Sequence, residues 1–153
     1  MKFSIFKALS DNEIKEILPY FNEKEIKKGE YIVKEGEYSE KAFVLVEGEV
    51  LVIKETIYKD DYIVTEIKAK GDEFFGEVNL IDRGLVTSTI KAKNNCKILE
   101  ITHNEFINLI EQKPKIATKL LWVIAYDITK HLRKADNDVI TLFNALVEVV
   151  END

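Results

Sequence analysis

The chain has 153 residues, of which 46% are hydrophobic and 33% are charged, and its formal net charge at pH 7 is -6. This composition is typical of one ordinary globular domain with enough apolar residues for a core. Only two of the 22 basic residues are Arg. Because nucleic-acid-binding surfaces are strongly basic, we expect no direct binding to DNA or RNA.

The cysteine content and the apolar segments indicate a cellular compartment. The single cysteine, Cys96, has no partner for an internal disulfide, which is typical of proteins from reducing compartments. The first ten residues lack the apolar run of a signal peptide. The longest apolar run, residues 120–126, is too short to span a bilayer. We therefore expect a cytoplasmic protein that does not associate with membranes.

A short helix is predicted near the N-terminus, followed by closely spaced strands. Ser10 and Glu13 form a capping-box pattern, which predicts a helix over residues 11–18 that ends at Pro19. Turn-forming residues then recur every 10 to 13 residues, and the segments between them are rich in Val, Ile, Tyr and Phe. Short strands at this spacing favour a β-barrel or a jelly roll. The turn signals are Gly36, Gly48, Asp60, Asp61, Gly71, Gly84, Asn94 and Asn95.

Two of these strands flank Gly48. Residues 42–46 and 50–53 are apolar, and the pattern predicts a β-hairpin in which Gly48 supplies a positive φ angle. The last predicted strand covers residues 96–101. Because Cys96 begins this strand, we expect its thiol to be buried and unreactive.

Two helices are predicted to follow the strands. Thr102 and Glu105 form a second capping box, which predicts a helix through Glu111. Pro114 suits the first turn of another helix. In that helix two apolar series repeat every seven residues over about four heptads, which is typical of a coiled coil. The heptad phase continues through residues 136–138, so one continuous helix is favoured.

This last helix is predicted to hold a homodimer together. A helix of about 35 residues, rising roughly 1.5 Å per residue, is longer than a barrel of this size is wide, so part of its stripe is free to meet a second copy. The alternative is that the whole stripe packs on its own barrel. The residues predicted for the dimer seam are Leu121, Ala125, Ile128, Leu132, Ala135, Val139, Leu142 and Leu146.

Residues 75–90 carry the most specific signal in the chain, reading FGEVNLIDRGLVTSTI. The segment resembles the phosphate-binding cassette of cyclic nucleotide-binding domains, which are the sensor modules of catabolite activator proteins and of protein kinase A regulatory subunits. In that family a Phe-Gly-Glu step opens a one-turn helix. A Leu-Ile pair, a short loop, an Arg and small hydroxyl residues follow. With weaker similarities elsewhere, the resemblance covers residues 6–133.

The resemblance implies a mainly β fold with flanking α-helices. Its centre is an antiparallel β jelly-roll barrel of the cyclic nucleotide-binding type, followed by a long C-terminal dimerisation helix. We expect residues 1–113 to form the barrel with its short helices. Residues 114–153 are expected to form the long helix, as part of the same single domain.

The resemblance also implies a ligand site. In the family the helix amides and the Arg hold the cyclic phosphate, while the Glu binds the ribose 2'-hydroxyl. Here Glu77 is in place, but Val86 stands where the family has the Arg. Arg83 is the one substitute in the cassette, and its alternative interpretation is a solvated loop residue. The candidate ligand-binding residues are Phe75, Gly76, Glu77, Val78, Arg83, Val86, Thr87, Ser88, Asp127 and His131.

Two of these candidates belong to the predicted C-terminal helix. Asp127 and His131 match positions at which the family's long helix covers the base of the nucleotide. Asp127 is an acid where a polar or basic group is more usual, which disfavours an anionic ligand. The alternative interpretation of His131 is a polar residue at the edge of the dimer.

The expected function is that of a cyclic nucleotide-binding-like regulatory or sensor module without an effector domain. Its regulatory ligand would be cyclic AMP or cyclic GMP (cAMP or cGMP), bound weakly or in an altered way because of Val86. Its output would pass to a separate effector protein. The alternative is a dimeric interaction module that has lost small-molecule binding.

An enzymatic function is not expected. Two scattered histidines cannot supply the metal ligands of a cupin-like enzyme, so no metal site is predicted. The sequence also lacks a P-loop, a nucleophile elbow and a Cys-x-x-Cys motif.

Overall fold

Short strands alternate with the turns that the sequence predicts. The computed structural model describes residues 4–70 and 73–152, so the turn expected at Gly71 lies outside the described residues. The strands of the described residues are β1 (Asn22–Ile26), β2 (Tyr31–Val33), β3 (Lys41–Glu47), β4 (Glu49–Glu55), β5 (Asp61–Lys68), β6 (Phe74–Phe75), β7 (Thr89–Ala92) and β8 (Cys96–Thr102).

These strands form two antiparallel sheets of four described strands each, in the orders β1-β8-β3-β6 and β2-β7-β4-β5. Both sheets contribute side chains to one apolar interior, in which Phe43 and Phe75 stack with ring centroids 5.4 Å apart. Cys96 is buried in the same interior, and burial raises the pKa of its thiol, which fits the predicted unreactive cysteine. Two sheets around a shared core form a jelly-roll barrel, so the predicted fold class is confirmed.

The helices begin where the capping patterns predict. The α-helices of the described residues are α1 (Asp11–Ile17), α2 (Glu77–Asp82), α3 (His103–Gln112) and α4 (Pro114–Glu151). Ser10 and Thr102 each form a complete capping box, and Pro114 occupies the first turn of α4. The predicted starts of α1, α3 and α4 are therefore confirmed.

A second apolar cluster lies between the helices and the outer face of the first sheet. Ala42 and Val44 of β3 contribute to this cluster, whereas Phe43 and Leu45 contribute to the barrel interior. Because side chains alternate along a strand, β3 is buried on both faces. The helical residues buried in this cluster include Ile17, Phe106, Leu109, Ile116, Ala117, Leu120 and Ile124. The barrel and the start of α4 therefore share one core.

The prediction for Gly48 is correct in its backbone angle and wrong in its strand pairing. Its φ is 96°, as expected for a turn glycine. However, β3 pairs with β8 and β6, whereas β4 pairs with β5 and β7. Gly48 is thus a corner at which the chain crosses from one sheet to the other. A turn signal shows that the chain reverses, but it does not determine which strands pair.

Helix α4 is continuous through residues 136–138, as the heptad phase predicted. Its 38 residues extend for about 57 Å at the usual rise per residue. Leu121 and Ile128 of the predicted seam are partly buried against the core cluster. The side chains of residues 129–146 are all exposed, including the seam residues Leu132, Ala135, Val139, Leu142 and Leu146. The barrel therefore covers only the first part of the apolar stripe.

In the described part of the chain, no helix combines the length and the apolar character needed to cross a membrane.

Candidate functional site

A cavity of about 510 Å³ opens in the barrel beside α2. Its size falls within the range of roughly 300–1,000 Å³ that is usual for small-molecule sites. Much of its wall is apolar, with contributions from both sheets. The predicted ligand residues that line it are Phe75, Gly76, Glu77, Val78, Val86, Thr87, Ser88 and His131. The fold thus brings most of the candidate residues to one place.

Gly76 allows α2 to approach strand β3 closely. It immediately precedes the helix and has a φ of 85°, in the left-handed region. A Cβ atom at this position would lie 2.6 Å from the carbonyl oxygen of Lys41 and 3.1 Å from the Cα atom of Ala42. Both the backbone angle and the close contact favour glycine. The short helix predicted after Gly76 is confirmed.

Glu77 is a buried carboxylate that α4 reaches. Its side chain is only 7% exposed, and its Oε1 atom lies 3.0 Å from Nδ1 of His131. The His131 side chain is 67% exposed, so the pair joins the cavity wall to the protein surface. The family resemblance assigns the carboxylate at this position to the ribose hydroxyl. Here the same carboxylate already has a partner on α4.

Val86 places an apolar side chain where the resemblance expects an Arg. The residue is buried, and it lines the cavity. Its amide donates to the carbonyl oxygen of Glu37 at 2.8 Å, and its own carbonyl accepts from the amide of Gly36 at 2.9 Å. These two hydrogen bonds fix the backbone at this point, so Val86 presents its apolar side chain to the cavity in a defined position.

Arg83 lies outside the cavity wall. It is exposed at the end of α2, with a φ of 54°. Its amide donates to the carbonyl oxygen of Asn79, and the side chain of Asn79 donates to the carbonyl oxygen of Gly84 at 2.9 Å. The amide of Gly84 donates to the Asp82 carboxylate at 2.8 Å. These hydrogen bonds hold the loop that carries Arg83 in a compact turn. The Arg83 guanidinium is not part of the cavity wall.

Asp127 also lies outside the cavity wall. Its carboxylate is 3.4 Å from the ammonium group of Lys130, one turn further along α4. Of the two candidate residues on α4, only His131 lines the cavity.

Lys41 is a cavity residue that the sequence analysis did not identify. Among the described residues that line the cavity, it is the only Lys or Arg. Its Nζ atom lies 3.1 Å from Oε1 of Glu100, and Nζ of Lys24 lies 2.8 Å from the same oxygen. The sequence did contain a signal for Lys41. Side chains alternate between the two faces of a strand, so Lys41 points to the same inner face as Phe43 and Leu45, in an otherwise apolar strand.

A metal centre has no structural support in residues 4–70 and 73–152. No cluster of three or more His, Cys, Asp or Glu side chains is placed to hold a metal ion there.

Comparisons with known proteins agree with this fold. The family model for the cyclic nucleotide-binding domain matches residues 23–113. The cAMP-activated global transcriptional regulator CRP of Pasteurella multocida is 33% identical over 107 residues, which are 69% of this chain and 50% of the regulator. Human cGMP-dependent protein kinase 2 is 29% identical over 116 residues, 73% of this chain and 15% of the kinase.

Solved structures show the same architecture. The catabolite activator protein of Thermus thermophilus superimposes with a TM-score of 0.82 at 21% identity, over 91% of this chain and 62% of that protein. The N-terminal domain of a transcriptional regulator from Streptomyces coelicolor gives a TM-score of 0.73 at 25% identity, over 89% of this chain and 91% of that domain.

The chain belongs to the cyclic nucleotide-binding domain family. It spans half the length of the Pasteurella regulator and a smaller share of the human kinase.

The close contact at Gly76 generates a stability prediction. Replacement of Gly76 by Ala should lower the free energy of unfolding by about 2–5 kcal/mol, because a left-handed backbone costs an L-residue about 1–2 kcal/mol and overlap with β3 adds about 1–3 kcal/mol. Gly36→Ala is the matched control, since Gly36 has a φ of 83° but no atom within 4 Å of an added Cβ. Urea denaturation measures the free energy of unfolding of both variants. Equal losses in the two variants would show that the contact with Lys41 and Ala42 is unimportant.

Proposed function

We propose that the chain is a non-enzymatic sensor module whose cavity binds a cyclic nucleotide weakly and whose long helix forms a homodimer. The observation that supports ligand binding most strongly is the cavity itself. Gly76, Glu77 and Ser88 of the cassette line one opening of suitable size. The relatives also support this class of ligand, since one is described as cAMP-activated and another as cGMP-dependent.

The charges around the cavity argue for weak binding. A charge-assisted hydrogen bond contributes roughly 1.5–3 kcal/mol, so the absence of the Arg weakens binding by about one to two orders of magnitude. Burying a poorly paired phosphate charge adds a further cost. Glu77 would also repel an anion, although its pairing with His131 reduces this effect.

The contact between Glu77 and His131 offers a route from the ligand to the dimer. If a ribose hydroxyl binds to Glu77, it competes with His131 for the same carboxylate. Loss of that contact would change how α4 rests on the barrel, since His131 lies at the point where the helix leaves the core. The ligand and the dimer helix would then be energetically coupled.

The second candidate function is a dimeric interaction module without a small-molecule ligand. Two observations favour it: Val86 contributes an apolar side chain where the resemblance expects an Arg, and His131 already contacts Glu77. In either case we propose that the protein acts in the cytoplasm through an effector protein. The net charge of -6 supports a mode of action without direct contact to nucleic acid.

Restoring the missing cation should strengthen nucleotide binding. The Val86→Arg variant is expected to bind cyclic AMP or cyclic GMP at least about tenfold more tightly than wild type, through the charge-assisted bond estimated above. Titration calorimetry with both nucleotides measures the gain. Val86→Met is the control, because it enlarges the side chain without adding charge. Equal affinities for the Arg and Met variants would contradict the assignment of this wall to the phosphate.

The exposed stripe of α4 should hold a homodimer. Leu132, Val139, Leu142 and Leu146 are each at least 60% exposed in the single chain. Burying side chains of this size contributes about 1.5–3 kcal/mol each, so the eight from two chains contribute about 12–24 kcal/mol, against an association cost of roughly 4–15 kcal/mol. We therefore expect Leu132→Asp with Leu142→Asp to give a folded monomer, because the charges would be buried in the seam.

Sedimentation equilibrium tests this dimer at micromolar protein. The control is Asn137→Asp with Asn144→Asp, which adds the same number of carboxylates at exposed positions on the side of α4 away from the seam. The control should remain dimeric. A monomeric wild type would contradict the proposal.

A further inference from the structure

Lys41 and Val86 belong to a wall shared by two cavities. A smaller cavity of about 260 Å³ adjoins the one beside Glu77. Lys41, Val86 and Phe43 line both cavities, whereas Glu100 lines only the smaller one. The only described Lys or Arg in the wall of the larger cavity therefore lies close to the position at which the resemblance expects an Arg.

The backbone, like the two cavities, places Lys41 beside the start of α2. Its carbonyl oxygen is in the close contact with Gly76, directly before α2. Its side chain is on the same face of β3 as Phe43 and Leu45, which contribute to the barrel interior. The side chain is 38% exposed, so it is not enclosed by the surrounding protein.

Because Glu100 pairs with two lysines, Lys41 can exchange this carboxylate for another partner. Glu100 is 8% exposed at its side chain, and a carboxylate this buried requires a cation. Lys24 and Lys41 both contact its Oε1 atom, at 2.8 Å and 3.1 Å. When Lys41 turns toward the larger cavity, Lys24 still neutralises Glu100. The movement needs only a rotation of the flexible Lys side chain.

We propose that Lys41 is the cation that binds the phosphate of a nucleotide in the larger cavity, beside the position at which Val86 replaces an Arg. This inference rests on the proposed function. An ammonium group is a point charge that cannot form the paired hydrogen bonds of a guanidinium, so the expected contact is weaker and less demanding in geometry. Lys41 thus accounts for binding without the family's Arg, at reduced affinity.

Lys41→Met tests the assignment by removing the charge while keeping the length of the side chain. Titration calorimetry with cyclic AMP and cyclic GMP should show a loss of affinity of about tenfold or more relative to wild type. Lys34→Met is the matched control, because Lys34 lines the smaller cavity but not the larger one. The control should change affinity by less than about threefold, because an exposed charge outside the larger cavity is screened by water and salt.

Salt dependence separates a ligand contact from a structural role. Wild-type affinity should fall as sodium chloride is raised, because screening weakens the contact between Lys41 and the phosphate. The fall should be smaller in Lys41→Met, and thermal unfolding should confirm that both variants are folded. Equal losses in Lys41→Met and Lys34→Met would overturn the assignment, since affinity would then depend on the general positive charge around the barrel and not on a contact with Lys41.

The outcomes also distinguish this inference from the proposed function. If wild type binds a nucleotide and Lys41→Met binds it equally well, only the role of Lys41 is wrong. If wild type binds neither nucleotide at millimolar concentration, ligand binding itself is wrong, and the assignment of Lys41 is overturned with it.

Discussion

The close contact between Gly76 and strand β3 determines the geometry of the site. Because Gly76 has no side chain, α2 begins directly against the backbone of Lys41 and Ala42. This contact places Glu77 at the cavity, where His131 of α4 reaches it. It also places Lys41 next to the start of α2. The barrel, the cassette and the long helix therefore meet at one point, and a larger residue at position 76 would separate them.

The proposed weak binding of a nucleotide depends on the distribution of charge in the cavity. Val86 contributes an apolar side chain to the wall, while Glu77 contributes a buried carboxyl group. Charged contacts are strongest where water is excluded, so a single substitution has a large effect on an anionic ligand. For the same reason Lys41 is the residue proposed to bind the phosphate. Lys24 also pairs with Glu100, so Lys41 can leave that carboxylate.

Local signals in the sequence predicted most of the fold. The capping boxes at Ser10 and Thr102 and the start of α4 at Pro114 depend on neighbouring residues, and all three are confirmed. The pairing around Gly48 was predicted wrongly, because sheet membership depends on strands far away in the sequence. The cassette pattern likewise located Glu77. Lys41 was missed, because the alternation along β3 shows that its side chain faces inward but not that α2 packs beside it to form the cavity.

The most direct test of nucleotide binding in this cavity is a proton–nitrogen NMR correlation spectrum of the wild-type chain, recorded during titration with cyclic AMP and cyclic GMP. Binding in the cavity predicts that the amide signals of Lys41, Gly76, Glu77, Ser88 and His131 shift together and reach saturation. Spectra that remain unchanged at millimolar nucleotide, or shifts confined to residues outside the cavity, would contradict the account.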